Sequence, residues 1–453
     1  MIIKQIYTNC LSQASYYIES NGECLIIDPI RDTNDYDVLI NRNKSKLKYI
    51  LETHFHADFI SGHIEMSKKY NVPIIFGPHA DTKFDSINKK DGEIIKLGDI
   101  EIKVIHTPGH TLESVCYLLI DENKNQKALF TGDTLFIGDI GRPDLAVNNN
   151  LSIKDLASML YDSLYNKLIV LDENILVYPA HGPGTQCGKN LSQETFSTLK
   201  EQKESNYALK FKNKKDFISN ITQNLPPAPD YFKESAMLNK NGYKSFLNAN
   251  YLKPISISEI KLMIDRKVNI IDSREAYDFS TIHIKNSINI PLNGRYAITA
   301  ANILDVKKKL VVICNKDEEN ESIVRLKRVG FENIIGVFNS NMNQIELKPL
   351  TSSLNSESSK NAHNIKDHKF IDVRTKSEFN LKHVKSSVNI PLFDLEDNIS
   401  KINKNENYFI YCRSGYRSSV ATSILKKNKI NNLINIKEGM NGLINNKNII
   451  FEL

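Results

Sequence analysis

A chain of 453 residues, 41% hydrophobic and 25% charged, has the balance of a soluble globular protein and is too long for one ordinary core, so two to four domains are expected. No apolar run approaches the roughly 18–20 residues that span a bilayer, and Met1–Ile6 leads straight into a polar-interrupted strand; neither membrane insertion nor an export signal is expected, and the expected compartment is cytoplasmic. The formal charge of +6, from 59 Lys+Arg against 53 Asp+Glu, is scattered without a basic stripe, which argues against nucleic acid and leaves a mild attraction for small anions.

Taken in chain order, Cys24–Ile27 reads as a buried strand closed by Asp28-Pro29, and Tyr49–Leu51 as another that delivers Thr53 and His54 to its end. Ser61 is placed to cap a helix running to about Tyr70. Ile94–Ile105 reads as a hairpin turning at Gly98-Asp99, and Val115–Ile120, Ala128–Thr131 and Leu176–Tyr178 as further strands. Histidines and aspartates fall just past these strand ends. They occur in Thr53-His54-Phe55-His56-Ala57-Asp58, Pro108-Gly109-His110-Thr111, Thr131-Gly132-Asp133 and Pro179-Ala180-His181-Gly182. Four clusters of ligand-type residues on tight turns point to a metal site.

Periodicity weakens over 206–252, where Leu225-Pro226-Pro227-Ala228-Pro229 excludes helix and central strand; this is read as a connector anchored by Tyr231, Phe232 and Leu238. A polar, low-complexity stretch at Thr351–Ser356 marks a linker over 346–361. On either side of it the chain repeats itself. Ile271-Asp272-Ser273-Arg274 recurs as Ile371-Asp372-Val373-Arg374, Phe279 as Phe379, His283 as His383, and Asn289–Leu292 as Asn389–Leu392. A period of 100 residues indicates a duplicated domain, at 253–345 and 362–453, each an α/β unit with a parallel sheet. In both copies a short apolar strand, Leu310–Ile313 or Tyr408–Tyr411, leads to a cysteine. All six cysteines (Cys10, Cys24, Cys116, Cys187, Cys314, Cys412) are widely spaced with no CxxC pair, so reduced thiols are expected.

The order of the histidine and aspartate motifs resembles the metallo-β-lactamase fold over residues 1–205, which implies an αβ/βα sandwich with a metal at one edge. Two-metal members of that superfamily continue the first motif as HxHxDH. Here Phe59 follows Asp58, which weighs against the binuclear zinc hydrolases such as glyoxalase II. The remaining arrangement is similar to the persulfide dioxygenases. That resemblance implies one mononuclear non-haem iron(II) per chain, held by His56, His110 and Asp133, with His54, Asp58 and His181 orienting ligands or moving protons. Gly138–Leu145 is similar to the loop that follows the aspartate ligand; its Arg142 either fixes that loop or meets an anionic group on the thiol. Cys187 lies in the glycine-flanked, cationic stretch Gly184–Lys189, surroundings that lower a thiol pKa, and is either a transient holder of sulfane sulfur or a passive loop residue.

The repeated unit resembles the rhodanese fold. In the last copy the loop reads Cys412-Arg413-Ser414-Gly415-Tyr416-Arg417-Ser418, followed by a helix from about Ser419. Such a loop lets backbone N–H groups converge on sulfur beside a helix N-terminus, and Arg413 and Arg417 add positive charge, so Cys412, Arg413 and Arg417 are the expected catalytic set. The middle copy has Cys314-Asn315-Lys316-Asp317-Glu318-Glu319 instead; carboxylates replace the cationic cradle, and no sulfur chemistry is expected there. The whole is read as an α/β multidomain protein, a metallo-β-lactamase sandwich followed by two rhodanese-like domains, one active. Its resemblance to the dioxygenase–rhodanese fusions of hydrogen sulfide detoxification implies oxidation of a small-thiol persulfide by dioxygen to sulfite, sulfur transfer giving thiosulfate, and a homodimer or homotetramer. The alternatives are a glyoxalase-II-like zinc thioester hydrolase with a sulfurtransferase domain, and a non-enzymatic persulfide carrier.

Overall fold

A computed structural model describes the chain except residues 148–149, 190, 246–252, 340–344 and 363–367. It divides into two units: Met1–Ala249 with Lys327–Gly330, and Asn250–Leu326 with Phe331–Leu453.

In the first unit, apolar residues at alternate positions give strands with two buried faces. Val115, Tyr117 and Leu119 enter one core while Cys116 and Leu118 enter another. One six-stranded sheet runs, neighbour to neighbour, through Ile2–Thr8, Gln13–Ser20, Glu23–Ile27, Lys46–Leu51, Ile74–Phe76 and Ile87–Asn88. The second runs through Ser197–Thr198, Leu176–Pro179, Gln126–Gly132, Val115–Ile120, Ile100–His106 and Ile94–Leu97. Tyr16, Ile27 and Leu51 of the first sheet meet Tyr117 and Phe130 of the second in a shared core. The other face of the second sheet packs Leu118 and Leu129 with Ala157 and Leu160 of the Ile153–Asp162 helix. This is the expected αβ/βα sandwich.

Two local readings change. The His63–Tyr70 helix starts at Gly62 without a side-chain cap, because the Ser61 hydroxyl is taken up by the Pro29 carbonyl and Glu52. The 206–252 segment, expected as a connector, carries the Lys214–Ile221 helix, whose Phe217 and Ile221 join the sandwich core, and the Tyr231–Asn241 helix.

The second unit holds two parallel sheets. The middle copy orders Ile288–Asn289, Asn269–Asp272, Leu310–Ile313 and Ile334–Phe338; the last copy orders Asn355–Glu357, Leu433–Ile436, Asn407–Tyr411, His368–Asp372 and Val388–Asn389. The stretch read as a 346–361 linker is thus structured: Thr351–Ser352 pairs with His283–Ile284, and Asn355–Glu357 is an edge strand of the last sheet. The repeated residues do the same framework work in each copy. Arg274 clasps Asp272 as Arg374 clasps Asp372, both at 2.6 Å, and the Asn289 and Asn389 amides bridge the equivalent carbonyls of residues 272 and 274, and 372 and 374. His283 and His383 stack on Phe279 and Phe379 at 4.0 and 3.7 Å. Among the described residues all six cysteines are free, and no helix is long and apolar enough to cross a membrane.

Candidate metal centre and sulfur-carrying loop

The strand Lys46–Leu51 ends beneath the buried carboxylate of Asp28, which accepts hydrogen bonds from the Thr53 amide and hydroxyl, both at 2.8 Å. With its proton given to Asp28, the Thr53 hydroxyl oxygen accepts from His54 Nδ1 at 3.0 Å. Two further imidazoles are fixed the same way. His110 Nδ1 donates to the Arg142 carbonyl at 2.9 Å, and His181 Nδ1 to the Ser12 carbonyl at 3.1 Å. In each ring this leaves Nε2 as the nitrogen that faces the site, the orientation a metal ligand needs. All three then converge on Asp133. His54 Nε2 and His110 Nε2 lie 3.8 and 3.5 Å from Oδ2, and His181 Nε2 lies 3.5 Å from Oδ1. Gly132 makes the approach possible: it takes a φ of +52°, and a Cβ there would meet the Thr53 hydroxyl at 2.6 Å.

Four groups among the described residues therefore fall within ligand distance of one another: His54, His110 and Asp133; His56, Asp58 and His181; Asp133, His181 and Cys187; and Asp28, Glu52 and His56. The exchange between His54 and His56 departs from the expectation. His56, expected as a ligand with His110 and Asp133, instead has Nε2 3.2 Å from Asp28 and 3.6 Å from Glu52. Phe59 packs on the His56 ring at 4.4 Å. His54, expected as a supporting group, lies within ligand distance of His110 and Asp133, while His56 lies within ligand distance of Asp58 and His181 as well as of Asp28 and Glu52. Asp58 lies 3.4 Å from His181, which meets Asp133 at Oδ1 where His54 and His110 meet it at Oδ2.

The donor set fits a cation. Both Asp133 oxygens, Asp58 Oδ1 and His181 Nε2 are buried without a hydrogen-bond partner, a cost that a bound positive ion removes. Burial, and then the neighbouring imidazoles, hold His54 well below the usual histidine range, so it stays neutral. Burial raises Asp58. Burial would lower His181, but Asp133 and Asp58 outweigh it and carry His181 above the usual value.

Arg142 and Cys187 resolve differently from each other. The Arg142 guanidinium is buried and spent on the fold: two bonds to Asp144 at 2.7 and 2.6 Å, one to the Gln186 carbonyl, one to that of Pro226. Its backbone meanwhile accepts from His110 and donates to the Cys187 carbonyl. These contacts tie Arg142 into the loop, in keeping with the first of its two expected roles. Cys187 contradicts the expectation of a low thiol pKa. It is 1% exposed, and burial, followed by the charges of Asp58 and Asp133, pushes the thiol well up.

In the last copy, Cys412 follows the Asn407–Tyr411 strand and its sulfur accepts from the Gly415 amide at 3.2 Å. Gly415 has φ +94°, and a Cβ there would lie 1.9 Å from the Lys437 carbonyl, so only glycine allows the turn. The Tyr416–Lys427 helix starts at once, three residues earlier than expected, and points its N-terminus at the sulfur loop. Arg417 is held bidentately by Glu378 at 2.6 and 2.7 Å, which keeps that carboxyl down at about 2; Arg413 is exposed. Glu378 was not foreseen as a site residue, although Thr375-x-x-Glu378 is a readable capping box. In the middle copy, burial and then Glu319, Glu318 and Asp272 push the Cys314 thiol up to about 12, in keeping with an inert cysteine.

Residues 8–181 match the metallo-beta-lactamase superfamily, and residues 256–347 and 356–446 each match the rhodanese-like domain. Among curated relatives, a hydroxyacylglutathione hydrolase of Francisella philomiragia is 33% identical over 175 residues, 38% of this chain and 64% of that protein. One of Dictyostelium discoideum is 35% identical over 168 residues, 36% and 59% respectively. The chain thus spans less than two thirds of these relatives. A solved structure described as a metallo-beta-lactamase from Staphylococcus aureus is 29% identical, with a TM-score of 0.65, and covers 75% of this chain and 99% of that one.

Proposed function

We propose that this chain, a metallo-beta-lactamase domain followed by two rhodanese-like domains, oxidises small-thiol persulfides with dioxygen at one iron(II) and passes sulfur through Cys412. The observation that carries the reading is the His54–His110–Asp133 group with Phe59, fully buried, where a second metal would need an imidazole. Two histidines and a carboxylate leave open positions for two reactants. An iron(II) held there would supply the redox chemistry that joins oxygen to sulfur. The net change is persulfide, dioxygen and water giving thiol, sulfite and two protons.

The chain's own residues bind, orient and shield. Thr53 and the carbonyls of Arg142 and Ser12 fix the three imidazoles before any ligand arrives. Asp58 and His181, 3.4 Å apart, offer a place to hold a proton beside Asp133. Cys187 lies within ligand distance of Asp133 and His181, which supports a sulfur-holding role, while its burial keeps it a neutral thiol until sulfur is delivered. In the last domain, Cys412 accepts the outer sulfur of a second persulfide and releases the thiol. The sulfite lone pair then attacks that sulfur, the S–S bond breaks, and the electron pair returns to Cys412, giving thiosulfate. The Gly415 amide and the helix N-terminus stabilise the sulfur anion at both stages.

The hydroxyacylglutathione hydrolase relatives favour a second reading, metal-dependent thioester cleavage. Dioxygen uptake by anaerobically iron-loaded protein on addition of a small-thiol persulfide separates the two. Uptake by the native chain, abolished in His110→Ala, is the expected result. No uptake with one iron bound, together with oxygen-independent thioester cleavage at two equivalents of zinc, would establish the hydrolase instead.

A further inference from the structure

The loop between His56 and the helix at His63 has little regular secondary structure of its own. The His56 and Phe59 carbonyls and the Ser61 amide are buried polar groups that need partners from elsewhere. All three find them on one side chain. The Asn239 amide nitrogen donates to the His56 carbonyl at 2.7 Å and to the Phe59 carbonyl at 2.8 Å, and its oxygen accepts from the Ser61 amide at 2.9 Å. Asn239 is 1% exposed and sits in the last turn of the Tyr231–Asn241 helix, well beyond the 8–181 match to the metallo-beta-lactamase superfamily.

The same stretch grips the loop a second time. The Tyr243 hydroxyl donates to the Ser61 carbonyl and lies 2.7 Å from Glu65, while Arg31 stacks over the Tyr243 ring at 4.3 Å and pairs with Glu65 at 3.1 Å. The Lys240 carbonyl accepts from the Lys83 amide at 3.0 Å. Few side chains can replace Asn239 in this arrangement. Two donors and one acceptor in a short planar group are what the three backbone atoms require; aspartate lacks the donors and serine has only one.

We infer that Asn239 is a positioning residue of the metal centre: by tying residues 56, 59 and 61 together, it sets where His56 and Asp58 stand against His181 and Asp133. The segment that reads as a connector in the sequence is on this account a working part of the first domain. The inference rests on the metal-site reading above, not on its oxygen chemistry. Arg142 makes a parallel tie at the other rim of the site, since its guanidinium reaches the Pro226 carbonyl while its own carbonyl orients His110. Residues 226–243 therefore touch the loop that carries His56 and Asp58 and the Arg142 side chain whose backbone carbonyl orients His110.

The test is cobalt(II) titration of the full-length chain, followed by visible d–d absorption and by competition with a chelator. Asn239→Ala is expected to weaken cobalt binding about 10-fold or more, the range for losing a group that orients ligands, and to shift the d–d bands. In oxygen-uptake assays kcat is expected to fall with KM nearly unchanged. Sulfur transfer from thiosulfate to cyanide through Cys412 should stay at the native rate, an internal control for the rest of the chain. Should Asn239→Ala give no soluble protein, Asn239→Asp carries the same test, since it keeps the acceptor for Ser61 and loses both donors. Native cobalt affinity with an unshifted spectrum in either variant would overturn the inference. A native chain that binds cobalt but never consumes dioxygen would sink the proposed oxidation while leaving this assignment to be decided by the titration alone.

Discussion

His54 and His56 are two residues apart with ring centroids 4.2 Å from each other, yet their second nitrogens face different groups. His54 Nδ1 is satisfied by Thr53, so Nε2 is free for Asp133 and a metal. His56 Nε2 is turned toward Asp28 and Glu52, and burial, reinforced by Asp28, pushes the Glu52 carboxyl well up so that it holds its proton. Their removal should therefore differ. His56→Ala is expected to weaken metal binding about 10- to 100-fold, as loss of an orienting group does, and His54→Ala by more. Iron counted by elemental analysis after anaerobic loading and desalting gives the comparison; equal losses in the two variants would return His56 to the ligand set. The difference is invisible in His54-Phe55-His56, because the group that decides it, Asp28, lies 28 residues before His56 and meets Thr53 only through the parallel pairing of Glu23–Ile27 with Lys46–Leu51. That the four clusters converge was readable from residue type and position after strands. Which nitrogen faces what was not.

Elements show the same division. Short apolar runs such as Val115–Ile120 and Leu310–Ile313 declared their strands because a buried β-strand needs little beyond continuous apolar side chains. The Tyr231–Asn241 helix did not declare itself, since Pro226, Pro227 and Pro229 dominate the local pattern and the partner of Asn239 lies some 180 residues earlier. The Tyr416–Lys427 helix starts three residues before the sequence predicts because Gly415 acts as its N-terminal boundary without a capping side chain. That helix start is tied to the Lys376–Leu381 helix by Arg417 and Glu378, whose side chains are 26% and 30% exposed. A partly exposed bidentate pair contributes about 1 kcal/mol. Glu378 is depressed from 4.5 to about 2, chiefly by its hydrogen bonds from Arg417, so its contribution is complete above the unfolded value and is lost as the pH falls from 4.5 through 2. Glu378→Gln should lower stability by about 1 kcal/mol at neutral pH and flatten the acid limb between those values, read by chemical denaturation at a series of pH values. A native acid limb in the variant would show that the pair contributes nothing.

At the scale of the whole chain, the two rhodanese-like copies keep one framework and divide the chemistry. Asp272–Arg274 and Asp372–Arg374 play the same role, but Glu319 stands five residues past Cys314 where Arg417 stands five past Cys412, and burial, with Glu319 and Glu318, pushes the Cys314 thiol up to about 12. The middle copy still bears on the active loop: Asn289 accepts from Ser419 at 2.6 Å, and the Pro291 carbonyl accepts from Tyr416 at 3.2 Å, both residues of the helix that begins at the sulfur cradle. The middle copy thus supports the turn that Cys412 needs, whatever its own cysteine does. On the proposed reading, carrying both chemistries on one polypeptide would raise the effective concentration of sulfite available to Cys412. Cys412→Ser should leave dioxygen uptake unchanged and turn the product from thiosulfate to sulfite, measured by chromatography of the trapped anions with persulfide kept limiting, so that uncatalysed capture of sulfite is slow. Because the hydroxyl keeps the size of the thiol and the Gly415 turn, a change in product reports lost sulfur transfer and not a collapsed loop. Thiosulfate at the native proportion would mean that sulfite meets its sulfur elsewhere, and Cys187, beside Asp133 and His181, would be the next thiol to remove.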